Sequence, residues 1–94
     1  DNVKDYIVSI TEATRSHDAV KLGVSPRGSI ALYKASKAWA FINGRDYVTP
    51  EDVRCCAVRV LAHRLMISPK GKAEYGSAEK IIEAIVAGVS VPKE

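Results

Sequence analysis

The stretch from Pro26 to Ile42 constrains this chain more than any other. Ser25 followed by Pro26 is a well-formed helix start, with a capping residue and then the ring whose fixed φ suits the first helical position. Asn43-Gly44 is a stop, because both residues tolerate a left-handed backbone. Between them apolar groups fall around much of the circumference: Ile30, Ala31, Leu32, Tyr33, Ala35, Ala38, Trp39, Ala40, Phe41 and Ile42. Such a rod, roughly 25 Å long at 1.5 Å per residue, is one that other helices surround. The pattern therefore predicts a helical bundle with this helix at its centre and Tyr33, Trp39 and Phe41 in the core.

Three further helices follow from spacing. Val3, Tyr6, Ile7, Ile10 and Ala13 recur at intervals of three and four, predicting a helix over about 3–17. Thr49-Pro50-Glu51-Asp52 opens another, with acids where the helix dipole favours them and a capping box that uses aspartate in place of glutamate. It should run over about 50–67, with Val53, Cys56, Ala57, Val60, Leu61 and Leu65 on one face. Ser77 caps the last helix, about 78–87, which buries Ile81, Ile82, Ile85 and Val86. Val20-Lys21-Leu22 and Tyr47-Val48 read as short extended segments placed to pair. Ser68-Pro69-Lys70-Gly71-Lys72 breaks the helical pattern and reads as a mobile loop, and Val89 to Glu94 has no pattern. The fold class is all-α: four helices in one domain over residues 1–94, without internal repeat or linker.

Bulk properties exclude more than they specify. The net charge of +3 mixes acids and bases along the chain. That balance tolerates a phosphate-bearing partner without demanding one. The two cysteines are the neighbours Cys55 and Cys56, which cannot readily bridge, so a reducing, cytoplasmic compartment is expected. No apolar run approaches the roughly 20 residues that span a bilayer. The chain has no initiating methionine and opens within a helical pattern, as a piece of a longer protein would.

Chemistry within the chain is scarce. His17 and His63 have no motif around them and read as surface or helix-end residues. Cys55 and Cys56 point about 100° apart on a helix, so one belongs to the core and the other outside it. Gly23 and Gly28 have the spacing of a P-loop, but Ser29 stands where its lysine must be and Pro26 removes an amide from the cradle. No metal site is expected either.

Arg27 differs from these. The dipole favours acids in the first turn of a helix, yet Arg27, Gly28 and Ser29 supply none. Free amides and a fixed cation then converge beside Ser25 and Gly28, which describes an anion site. A merely solvated arginine fits the composition equally well. Arg45-Asp46 could form a local pair after the glycine turn.

The residues carrying these features are similar to those of a known family. "YIVSITEATR" (Tyr6 to Arg15), "LGVSPRGSIALYKASKAWAFINGRDYVTPEDV" (Leu22 to Val53) and "VLAHRL" (Val60 to Leu65) resemble, in order, the C-terminal helical lid of MoxR-type AAA+ ATPases. The resemblance extends over about Val3 to Pro92. It implies that Arg27 is a sensor-2 arginine reaching the phosphates of ATP, with Ser25 and Gly28 beside it. It implies a cofactor, ATP with Mg, held mainly by an α/β core domain upstream in the same polypeptide, where the P-loop would lie. It further implies ring neighbours, a chaperone-like or complex-maturation role and a von Willebrand A domain protein as partner. Arg15 matches the arginine of the family's "TR" element, for which structural support is expected. The chain alone should not hydrolyse ATP. Two competing readings are a histone-fold-like nucleic-acid-binding module, which the scattered and countered basic groups disfavour, and a purely structural protein-interaction bundle.

Overall fold

The computed structural model describes residues 2–92. Asp1, and Lys93 and Glu94 at the end of the patternless tail, lie outside the described residues. The elements run α1 (Asn2–Ser16), β1 (Val20–Leu22), α2 (Pro26–Ile42), α3 (Pro50–Leu61), a 3-10 turn (Ala62–Arg64), β2 (Met66–Ile67), α4 (Pro69–Tyr75) and α5 (Ala78–Gly88). The fold is all-α, with one short antiparallel ribbon.

The apolar stripes read from spacing are the faces that pack. Tyr6, Ile7 and Ile10 of α1, Val53, Cys56, Ala57 and Leu61 of α3, and Ile82 and Val86 of α5 join Val24 and Leu32 in one buried cluster. Ile81 and Ile85 form a smaller cluster with Ala19. Helices α2 and α3 make the most extensive pair, α1 lies against α2, and α5 closes on α3 and α1. Cys56 is buried and Cys55 exposed. Burial pushes the Cys56 thiol up from its ordinary pKa, against a hydrogen bond from Ser36 that lowers it.

Helix α3 carries its own start and needs no neighbour for it. Thr49 accepts from the Asp52 amide while the Asp52 carboxylate accepts from the Thr49 N–H at 2.8 Å, a complete capping box. Asp52 is 2 % exposed. It also receives both arms of Arg45, each at 2.6 Å. These bonds outweigh burial and hold its carboxyl at about 2, below the usual 3.8, with the Arg45 guanidinium the largest cause. The partner of Arg45 is thus Asp52 and not the adjacent Asp46.

Four other expectations are corrected. The ribbon pairs β1 with β2, matching Val20 to Ile67 and Leu22 to Met66 with a register shift between. Tyr47-Val48 is not a strand. Val20–Leu22 precedes α2 and Tyr47-Val48 follows it, so the helix's own length, 17 residues and about 25 Å, separates them. The histone-fold reading loses the pairing on which it relied.

The helix predicted over 50–67 stops at Leu61. Pro69 pushes the residue before it out of the helical region, and Ser68 is extended at φ −80°, ψ 162°. The chain has already left the helix before that point: Leu65 is extended at φ −125°, ψ 158°, and Met66 and Ile67 pair with β1. There the Ser68 N–H donates to the Ala19 carbonyl at 2.9 Å.

The predicted mobile loop at 68–72 is the start of a fifth helix, α4. Ser68 Oγ accepts from the Gly71 amide at 2.9 Å, and Gly71 is buried where a Cβ would collide with the Ala19 carbonyl.

Finally, α2 is not enclosed. Its buried stripe is Gly28, Leu32, Ser36 and Ala40 at intervals of four, and all but Leu32 are small. They let α2 lie close to its neighbours and turn the bulky groups outward. Phe41 is 78 % and Ile42 75 % exposed, with Ile30 and Trp39 also exposed, so Phe41 and Trp39 are not core residues. Tyr33 is half-buried, beneath the ammonium groups of Lys4 and Lys37.

Candidate functional site

The start of α2 is built on α1. Gly23 lies so close to the first helix that a Cβ there would stand 2.7 Å from Arg15 Cγ and 2.8 Å from Arg15 Cα. This close approach lets Val24 enter the core, fully buried. Its backbone is bonded at both ends: the Val24 N–H donates to Thr14 Oγ1 at 3.0 Å, and Arg15 Nε donates to the Val24 carbonyl at 3.0 Å. Arg15 thus ties the loop to α1 through this bond. Gly28 is also a point of close approach, since a Cβ there would collide with Val24. The two glycines with P-loop spacing therefore serve packing.

Ser25 occupies the N-cap position with extended backbone and Pro26 follows at the first helical position. The Ser25 side chain caps nothing; only its carbonyl accepts, from the Gly28 amide at 2.9 Å. Arg27 is exposed and makes no hydrogen bond or ion pair with any described residue. The first turn contains no acid.

Helix α4 begins with nearly the same four residues, Ser68-Pro69-Lys70-Gly71, and resolves them oppositely. Its serine caps the Gly71 amide. Its cation is bonded: Lys70 Nζ lies 2.8 Å from Asp18 and 4.0 Å from Glu74. The hydrogen bond from Lys70 holds the Asp18 carboxyl below its ordinary range, and Asp18 raises Lys70 in return. The cap and the cation are both satisfied in α4, and both are open in α2.

The structure brings Ser25, Arg27 and Gly28 together at one helix end and sets Arg15 behind them. It adds Arg64, which spacing did not single out for this site. The Arg64 stem passes Gly28, with Cδ 3.6 Å from where a Cβ would be, and its head is likewise without a partner among the described residues. Thr14 was missed as well. Its signal was its place on the apolar face that carries Ile7 and Ile10, where a buried hydroxyl must find a partner. His17 is a local residue: Nδ1 accepts from the Ala19 amide at 3.1 Å, and its ring meets Tyr75 edge-on. His63 is exposed on the 3-10 turn. Among the described residues no cluster of histidine, cysteine or carboxylate groups could hold a metal ion.

A model of the AAA lid domain matches residues 12–85. This chain belongs to that family, as a lid of the MoxR type. The lid is 50 % identical to the uncharacterized protein YeaC of Bacillus subtilis, with 98 % of this chain covered and 29 % of that one. It is 34 % identical to the chaperone MoxR1 of Mycobacterium tuberculosis, with 95 % of this chain covered and 26 % of the relative. In three dimensions it matches a crystal structure of a Cytophaga hutchinsonii protein assigned as an ATPase, with TM-score 0.88 and 34 % identity. That match covers 99 % of the lid and 31 % of the other chain. The lid spans less than a third of the length of each of these proteins. No helix among the described residues is long and apolar enough to cross a membrane.

Proposed function

We propose that this lid works as the C-terminal part of a longer MoxR-type AAA+ ATPase and that Arg27 is its sensor-2 arginine. The observation that carries the reading is the unpaired Arg27 guanidinium on a helix start whose side-chain cap is open. The donor set suits phosphate oxygens: a guanidinium that presents several N–H groups, beside a helix end of positive partial charge. Ser25 and Gly28 border it. ATP would bring the phosphoryl group to be transferred, with its Mg held, as the family resemblance implies, by a core domain.

Within the lid, Arg27 would donate a charge-assisted bond to the terminal phosphate, a contribution of about 1.5–3 kcal/mol. Because α2 is fastened to α1 and packed along α3, a pull on Arg27 moves the whole lid as a body. The exposed outer face of α2, with Ile30, Phe41 and Ile42, is what the core domain or a ring neighbour would cover. By likeness to a relative named as a chaperone, the parent protein acts in remodelling or maturing other proteins, with a von Willebrand A domain protein as the partner expected of the family.

The test is Arg27→Ala in the full-length ATPase. ATP turnover should fall by about 10- to 100-fold, with the thermal unfolding midpoint nearly unchanged. Turnover at the parent rate would remove Arg27 from the site.

A further inference from the structure

Arg27 is flanked by two buried or half-buried attachments to α1, and both are polar. Three residues before it, Val24 is held through its N–H by Thr14 and through its carbonyl by Arg15. Two residues after it, the Ser29 hydroxyl donates to Thr11 Oγ1 at 3.0 Å. The hydroxyls on α1 are themselves anchored: Thr14 donates to the Thr11 carbonyl at 2.6 Å and Thr11 to the Val8 carbonyl at 3.1 Å. Thr11 and Thr14 are 1 % and 0 % exposed.

Three hydroxyls in this position are a poor choice for cohesion alone, since an apolar side chain of the same shape carries no risk of an unmet hydrogen bond. What they add is direction. Hydrogen bonds fix distance and angle where apolar contacts only fix proximity, and a phosphate contact tolerates little misplacement. Gly23 completes the arrangement, because only a residue without a side chain brings the loop against the backbone of Arg15.

We infer that Thr14 and Arg15 are positioning residues for Arg27, clasping both backbone groups of Val24 so that the sensor arginine leaves α2 at a fixed point. The inference rests on the sensor-2 reading above. Neither residue needs to touch the nucleotide.

A double-mutant cycle in the full-length ATPase tests this, reading kcat and KM for ATP. Thr14→Val keeps shape and removes the acceptor for the Val24 amide. It should lower kcat by about tenfold, while Thr14→Ser, which keeps the hydroxyl, should restore most of the rate. Added to Arg27→Ala, Thr14→Val should cost nothing more, because the residue it positions is gone. An equal loss in both backgrounds, or the parent rate for Thr14→Val alone, overturns the inference and leaves the sensor reading intact. Parent-like turnover by Arg27→Ala itself overturns both. Should Thr14→Val fail to fold, Arg15→Met runs the same cycle from an exposed position, keeping the stem on Gly23 and removing the donor. A loss that persists without Arg27 would then show Arg15 acting by itself, against the inference.

Discussion

Two helix starts in this lid share a grammar and differ in outcome. Ser25-Pro26-Arg27-Gly28 and Ser68-Pro69-Lys70-Gly71 each place serine at the cap, proline at the first position, a cation next and a buried glycine third. In the second, the serine closes on the glycine amide and the lysine on Asp18 and Glu74. In the first, neither group has found a partner. The dipole opposes a cation at either start; one is compensated from within, and the other has no compensation among the described residues. A motif of four residues determines where a helix begins; its neighbours decide whether the charge it carries is structural or available.

The largest effects should come from the glycines, where the two starts are alike. A Cβ at Gly71 would meet the Ala19 carbonyl, which is backbone and cannot rotate away. Gly71→Ala should therefore destabilise by about 3 kcal/mol, at the upper end for overpacking. At Gly28 the obstacle is a methyl of Val24, a buried and β-branched side chain that yields only by a small shift of its loop, so Gly28→Ala should cost about 2 kcal/mol. Denaturant unfolding of both variants checks the order. If Gly28→Ala proves the worse, the start of α2 is held more rigidly than that of α4.

Much of this was legible in the sequence, and the failures have physical causes. Helix α2 is bounded at Pro26 and Ile42, as its first-position proline and the left-handed Gly44 indicate, and the buried faces of α3 and α5 follow from spacing. The error over 62–67 came from following an apolar rhythm through Leu65, where the chain instead turns extended and pairs with β1. Ser68-Pro69-Lys70-Gly71, nearly the sequence that starts α2, was then taken for a loop. The outward face of α2 was not legible, because composition cannot distinguish a helix covered by its own domain from one covered by another. Phe41 and Ile42 are 78 % and 75 % exposed, and no described residue covers them. Arg27 was legible as an anomaly of charge. Its attachments through Thr14 were not, since they join residues ten apart across a turn.

A third proline-started helix supplies the case of complete internal closure. Asp52 in α3 serves the cap and binds Arg45 at once. Its carboxyl sits at about 2 in the folded lid against 3.8 ordinarily. A depressed value means that the folded state holds the proton less readily, so the stabilisation is fully present above about pH 4 and is lost as pH falls through about 2. The amount is about 2 kcal/mol. Acid unfolding of the parent lid should show this slope between pH 4 and 2, and Asp52→Asn should flatten it. A slope that survives Asp52→Asn would assign the acid sensitivity to other carboxylates.

The smallest effect should come from Lys70. Its bonds to Asp18 and Glu74 are exposed, and exposed pairs contribute little because water screens them and two long side chains must be ordered. Lys70→Ala should leave the thermal midpoint almost where it was and should leave ATP turnover of the full-length protein at the parent rate. Arg27→Ala sits at the equivalent position of a nearly identical motif and should abolish most of that turnover. The pair of variants separates partner from position. If Lys70→Ala slows turnover as much as Arg27→Ala does, a cation at the second position of a helix is important in itself. The unpaired state of Arg27 would then no longer distinguish it.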